Sequence, residues 1–371
     1  MSTFESLAKQ VLAKAGVAID GPEPWDIQVN NPDFYRRVLT QGSLGLGESY
    51  LEGWWDCRAL DELFFRIIRE GLHRQAVVPL PIKASRALHR LLNMQNRARS
   101  KKVIDAHYDG DSEFLLSFTG KHRQYSCAYF DGTDDLDEAQ ERKLDLVCRK
   151  LSLTSRDRVL DIGCGYGGFA RFAAERFGCE VTGITPSGVQ VEAAREFCRG
   201  LPVKILKADY RDFSGAFTKI VSVGMFEHVG YKNYRAFMAK VRESLEPDGL
   251  LLLHTMGGNT SVFSNDPWID KYYFTRGMLP SLRQIAGAAE GLLVLEDLHN
   301  LGPHYDRTLT AWHGIFVRNR REDGGRLDER VYRKWEYYFL HLAGCFRARK
   351  IQLWQFVYSK DGLPGGCRAA R

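Results

Sequence analysis

The chain of 371 residues has no run of about 18 uncharged apolar residues, so nothing in it reads as a bilayer-spanning helix. Met1 to Lys14 carries charges throughout and lacks the apolar core of a secretion signal, which points to the cytoplasm. The eight cysteines are scattered, with no Cys-x-x-Cys spacing. That excludes both a disulfide framework and a structural zinc site, and leaves reduced, mostly buried thiols as the expectation. Internal repeats and low-complexity segments are also missing.

What is present is unevenly charged. The net charge is +6, yet Arg66 to Lys102 alone holds ten Lys or Arg against one acid, Glu70. With Pro79 and Pro81 followed by a helical pattern over 84–96, this stretch reads as a linker with an amphipathic helix that suits an anionic membrane surface. A solvated face or a seam to the next domain is its plainer reading. Residues 1–80, with the aromatic pair Trp54-Trp55, read as a small, mainly helical N-terminal domain that carries lipid or a subunit contact. Residues 81–100 form the linker, 101–361 the catalytic domain and 362–371 a disordered tail.

The larger domain alternates apolar strands with helical segments. Strands are expected at 158–162, 180–184, 203–206, 219–226, 250–255, 292–298 and 351–358. This is an α/β fold with a seven-stranded, mostly parallel, Rossmann-like sheet. The last strand, Ile-Gln-Leu-Trp-Gln-Phe-Val-Tyr, alternates as a strand with one face less buried does.

After the first strand comes Asp161-Ile162-Gly163-Cys164-Gly165-Tyr166-Gly167-Gly168, a glycine turn leading into a helix, which is nucleotide-site geometry. A nicotinamide dinucleotide calls for an acid at the end of the second strand. Here that strand runs into Thr185-Pro186-Ser187, with Thr185 as a natural N-cap and Pro186 at the first helical position. The third strand ends in Ala208-Asp209-Tyr210, an acid and a ring where an adenine could stack. These features fit S-adenosylmethionine enzymes more than dehydrogenases. The fourth strand leads to Phe226-Glu227-His228 where an amino-group methyltransferase acting on nucleic acid would carry Asn/Asp-Pro-Pro-Tyr, so no nucleic-acid partner is expected.

Several further motifs occur in a fixed order: Gly42 to Tyr50, Tyr125-Ser126-Cys127-Ala128-Tyr129, Val221 to Gly230, Leu252-Leu253-His254-Thr255, and Phe346-Arg347-Ala348-Arg349 before Ile351 to Gln355. Through them the sequence resembles the cyclopropane-fatty-acyl-phospholipid synthases from about Asn31 to Tyr358. The resemblance implies that S-adenosylmethionine gives a methyl carbon to a cis double bond in an acyl chain of a membrane phospholipid, after which a proton is lost and a ring closes. It implies cofactor contacts at Tyr125, Ser126, Asp161, Gly163, Gly165, Gly167, Thr185, Gln190, Tyr210 and Arg211. It also implies a bound bicarbonate ion held by Glu227, His254 and Tyr305 with backbone groups at Cys127 and Met256, a homodimer, and peripheral association with the inner face of the membrane. No metal is implied.

The chemistry agrees with that set, because an isolated alkene attacking a sulfonium methyl yields a carbocation that must lose a proton before water arrives. Tyr272, Tyr273 and Phe274 are candidates to face that cation or to line the acyl pocket. His228 is read as structural, and Tyr305 as part of a loop ahead of a helix. The stripe Trp335, Phe339, Leu342 and Phe346 reads as core. Two positions depart from the family: Tyr166 replaces a common tryptophan, and Leu342 stands where many members have a cysteine, so a thiol nucleophile there is not expected. The alternatives are an acyl-chain methyltransferase that leaves a methyl or methylene branch, and a non-catalytic lipid-binding protein on the same fold.

Overall fold

A computed structural model describes residues 3–74, 93, 95, 112–275, 277–367 and 370–371. The helix expected over 84–96, with Arg86 and Arg90, and the following Arg97 and Arg99 lie outside the described residues apart from Asn93 and Gln95. The chain forms two compact units. One gathers Met1–Leu92, Ser264–Thr275 and Tyr305–Ile351; the other gathers Asn93–Phe263, Arg276–His304 and Gln352–Arg371. The helical unit therefore takes two segments from the second half of the chain, which a linear reading of 1–80 against 101–361 does not anticipate.

The second unit holds the seven-stranded sheet, built from β1 (Arg158–Ile162), β2 (Glu180–Thr185), β3 (Val203–Lys207), β4 (Phe217–Val223), β5 (Leu245–Gly258), β6 (Val294–Asn300) and β7 (Ile351–Ser359). The spatial order is β3-β2-β1-β4-β5-β7-β6. Strands β1 to β5 pair in parallel, while β6 and β7 are antiparallel to each other. All seven strands expected from sequence are present.

Both faces of the sheet are covered. Leu160, Ile220, Leu251 and Leu253 pack toward the helices Tyr234–Ser244 and Leu282–Ala289. Their neighbours Val159, Val221, Leu250 and Leu252 pack toward Leu136–Lys150 and Gly168–Phe177. This period-two division is what a sheet between two helix layers requires.

The last strand departs from its expected half-exposure: every residue of β7 is buried. It lies inside the sheet, with Trp354, Phe356 and Tyr358 in one core and Val357 in the other. Its polar side chains are there to be paired. Asn300 Nδ2 donates to Gln352 Oε1 at 3.2 Å, and Ser359 Oγ donates to Glu296. The tail also departs from expectation. Leu363 N donates to Glu296 Oε1 at 3.0 Å, and the Arg371 guanidinium pairs with Asp297.

The helical unit is an aromatic core. Trp55, expected at a lipid or subunit contact, is fully buried, and its indole N–H meets Leu46 O and Ser49 Oγ at 3.1 Å. The Gly42 to Tyr50 motif is explained by close approach: a Cβ on Gly47 would lie 2.3 Å from the Trp268 ring. Tyr273 stacks on Tyr338 at 4.0 Å, while Tyr272 donates to Glu48, so both half-buried rings make contacts within this unit. Trp335, Phe339 and Phe346 are buried as expected, whereas Leu342 of the same stripe is only half-buried. Arg347, of the last family motif, pairs with Asp61 at 2.8 Å and Asp306 at 3.0 Å.

Candidate active site

The carboxyl ends of β1, β2 and β3 lie side by side, and the residues expected to hold the cofactor come from the segments that follow them. Gly163, Gly165 and Gly167 all have positive φ, and nothing stands within 4 Å of a Cβ built on Gly165. The loop thus turns sharply and leaves its backbone open to a ligand. Asp161, at the end of β1, is 2 % exposed and its Oδ2 has no partner. Burial pushes its carboxyl up to about 7, with the Lys143 charge opposing.

After β2 the helix cap is Ser187, which accepts from Gln190 N at 3.2 Å, and not Thr185 as the sequence suggests. Thr185 is still one residue of the strand. Its hydroxyl is thereby free to donate to Gln190 Oε1 at 2.7 Å, so these two cofactor candidates meet in a buried pair. After β3, Arg211 pairs with Asp209 at 2.8 Å and donates to Gln95 O at 2.9 Å, and its guanidinium lies over the Tyr210 ring. The Tyr210 hydroxyl is buried without a partner.

Tyr125 and Ser126 sit on a strap tied down by the helix Leu136–Lys150. Gln140 Nε2 donates to Ser126 O at 2.9 Å, and Lys143 Nζ donates to Ser126 Oγ at 3.0 Å and to Gln124 Oε1. Cys127 is fully buried, its thiol directed to Ala128 O.

The other cluster lies at β4 and β5. Val223 is paired with His254, and a short turn of helix, Phe226–His228, places Glu227 back against β5. Glu227 Oε1 accepts from Met256 N at 2.7 Å, while Oε2 is buried without a partner. Burial pushes this carboxyl up to about 7. His254 is 1 % exposed; Gln355 Nε2 faces its Nδ1 at 3.2 Å, and its Nε2 has no partner. Burial holds the imidazole well below its ordinary range, with Lys143 and Lys150 adding to the effect. The ring is therefore neutral. With an amide donor at Nδ1, its proton belongs on Nε2.

Glu227, His254 and Met256 are thus brought together, with one acceptor and one donor unused. The Met256 amide is engaged by Glu227. Tyr305 belongs to the helical unit, in the first turn of the helix Gly302–Glu322 and not in a loop, with its ring 4.7 Å from that of Phe346.

Sequence reasoning missed Lys143, Gln140 and Gln355. A usable signal existed for Lys143, which is four residues from both Ala139 and Val147 on the buried face of its helix. Gln355 was hidden by the alternation of β7, which suggested a wet face.

Comparison with known proteins fits this geometry. The mycolic acid cyclopropane synthetase family model matches residues 95–356. The fold and site define an S-adenosylmethionine-dependent methyltransferase. More narrowly, the chain belongs to the cyclopropane synthase family. It is 47% identical over 365 residues to the cyclopropane-fatty-acyl-phospholipid synthase of Escherichia coli K12, covering 98% of this chain and 95% of that one. It is 36% identical over 367 residues to a probable fatty acid methyltransferase of Pseudomonas putida, covering 93% and 90%. The crystal structure of the mycolic acid cyclopropane synthase CmaA1, complexed with SAH and CTAB, matches with a TM-score of 0.64 and 30% identity over 70% of this chain and 98% of that one.

Proposed function

We propose that the protein forms a cyclopropane ring on a cis double bond in an unsaturated acyl chain of a membrane phospholipid, with bicarbonate as the base. The observation that carries the reading is the buried pair of unused groups, Glu227 Oε2 on the turn after β4 and His254 Nε2 on the neighbouring strand β5. One accepts a hydrogen bond and the other donates one, which suits an oxyanion that bears a single O–H.

S-adenosylmethionine would supply the methyl carbon, held by the strap at Tyr125 and Ser126, the loop from Asp161 to Gly167, the Thr185–Gln190 pair, and Tyr210 with Arg211. Bicarbonate would supply a small base, held by Glu227 and His254 with the backbone at Cys127, while Met256 N stays with Glu227; Tyr305 is added by the family resemblance alone. Glu227 is raised toward neutrality by burial, and a second anion beside it would raise it further. The carboxyl and the ion would then hold one proton between them. His254, being neutral, adds a hydrogen bond without a competing charge. The surrounding apolar strands exclude water, which protects a carbocation from capture.

The basic residues between Arg66 and Lys102 support docking at the anionic inner face of the membrane, and family likeness supports a homodimer. Purified protein given S-adenosylmethionine and liposomes of a defined unsaturated phospholipid should yield acyl chains heavier by one methylene, with ring protons in the NMR spectrum. A branched product would favour the acyl methyltransferase reading, and no turnover the lipid-binding one. Depleting bicarbonate should slow turnover reversibly; unchanged turnover would remove it from the scheme.

A further inference from the structure

The turn that carries Glu227 is anchored at three points. Its start is fixed to β5, where Gly224 N donates to His254 O at 2.9 Å. Its middle is held at the backbone, where Glu227 O accepts from Met278 N at 2.9 Å. Its far end is held by Asn233, whose Nδ2 donates to Val229 O at 2.7 Å. The reaction outlined above gives Asn233 no part, yet its amide reaches beyond the turn. Asn93 Nδ2 donates to Asn233 Oδ1 at 2.7 Å, and Asn233 Nδ2 returns a longer bond to Asn93 Oδ1 at 3.4 Å. The same Nδ2 also meets Gln95 O at 3.3 Å.

Gln95 O is a shared acceptor. Arg211 Nη2, on the segment after β3, donates to it at 2.9 Å, while Nη1 of the same guanidinium pairs with Asp209 at 2.8 Å. In the sheet β3 and β4 are separated by β2 and β1, so strand pairing does not tie their following segments together. One carbonyl does, joining the arm expected to hold the cofactor to the turn that holds Glu227. Backbone shape agrees with this. Gly230 has a φ of 78°, and a Cβ there would run into Gln95 Oε1. Asn93 Oδ1 accepts from Gln95 N at 3.1 Å and so fixes the short segment that presents the carbonyl. All of these groups belong to the sheet unit.

We propose that Asn233 is a positioning residue of the reaction: with Asn93 and the Gln95 carbonyl it clips the Glu227 turn to the Arg211 arm, which holds the base site in register with the cofactor. This rests on the function proposed above. Groups that act on one reacting carbon must be held to within about 0.5 Å, and two loops that follow well-separated strands need a link of this kind to reach it. Without the clip Arg211 keeps its Asp209 pair, so the cofactor still binds. The Glu227 turn keeps only the anchors at its start and middle and shifts, so the loss is one of rate.

The test measures initial rates with S-adenosylmethionine and liposomes of dioleoyl phosphatidylglycerol. It compares the full-length protein with its Asn233→Asp, Asn233→Ala and Asn93→Ala variants and with the pair Asn93→Ala and Asn233→Ala. Rates are divided by the number of S-adenosylhomocysteine sites found by calorimetric titration, so that unfolded protein does not count. Asp at 233 keeps the size and the acceptor for Asn93 but loses the Nδ2 donor. Its kcat should fall at least about tenfold, with KM for the cofactor within about threefold of the wild-type value. Asn93→Ala should also lower kcat, and the pair should be no slower than Asn233→Ala alone, because both changes open the same clip. A merely structural role would lower the melting temperature and the number of sites but not the rate per site. Should Asn233→Ala fail to fold by circular dichroism, Asn233→Asp and Asn93→Ala decide. A wild-type rate per site in Asn233→Asp, losses that add in the pair, or a cofactor KM that rises more than kcat falls would each overturn the proposal. No turnover by the wild-type protein would overturn the function proposed above, and this proposal with it.

Discussion

In the helical unit Glu48 accepts from Arg37, Lys271 and Tyr272, and Arg347 is met by Asp61 and Asp306. In the sheet unit Glu227 and Asp161 are each left with an oxygen that nothing answers. Among the described residues these are the two buried carboxylate oxygens without a partner. A folded chain leaves such groups unanswered at a cost of a few kcal/mol, so their concentration in one unit marks where binding energy is to be recovered from ligands. The helical unit's family motifs, by contrast, are explained by packing and ion pairs.

The largest expected effect comes from Glu227→Gln. Gln keeps an acceptor for Met256 N but removes the carboxylate, so turnover should fall by at least about 100-fold. Stability should move the other way. Glu227 has its folded pKa raised from 4.5 to about 7, so its contribution is fully present below 4.5 and is lost as pH rises through about 7. At pH 8 the variant should therefore melt higher than the wild-type protein, and the difference should shrink toward pH 4.5. A variant less stable at every pH would place Glu227 with the satisfied carboxylates of the other unit.

A change in the helical unit should show the reverse pattern. Gly47→Val puts a branched side chain where Cβ alone would stand 2.3 Å from the Trp268 ring. Overpacking of this kind costs about 1–3 kcal/mol, and helix distortion adds to it. The melting temperature should fall while the affinity for S-adenosylhomocysteine, which the proposed cofactor site assigns to the sheet unit, stays near that of the wild-type protein. Loss of affinity without loss of stability would break the division between the two.

Gln355→Leu probes how far the division reaches into the second layer of contacts. The leucine removes the amide that faces His254 Nδ1, freeing the ring to place its proton on either nitrogen. Turnover should drop by about tenfold, with KM for the cofactor little changed, because orienting partners of this kind typically act at that scale.

These effects also show what the sequence could convey. The strands were legible because a two-faced core demands apolar runs of set length, and the glycine loop because positive φ at three positions in five selects glycine. Glu227 and His254 were legible only through the family motifs: a lone acid after a strand and a lone histidine within one usually have bland roles. Lys143 and β7 were obscure for a shared reason. A polar side chain in an apolar pattern is read as facing water, whereas Lys143 and Gln355 are buried because a strap and an imidazole need them. The composition of the helical unit was hidden differently, since Ser264–Thr275 and Tyr305–Ile351 join it from far along the chain.

The smallest expected effect is at the tail, where the two ways of treating charge can be compared on one residue. Asp297 pairs with the buried Lys150 at 3.1 Å and with the half-exposed Arg371. Water competes with the second pair, so Arg371→Ala should change stability by no more than about 0.5 kcal/mol, with a further decrease in high salt. Lys150→Met should be far worse, because it strands Asp297 with only a solvated partner: about 3 kcal/mol is typical when one member of a buried pair is removed. Urea unfolding of the two variants measures the ratio. Equal losses would mean that the tail is as integral to the sheet unit as its core, and that Asp297 is satisfied by Arg371 as fully as Glu48 is by Arg37.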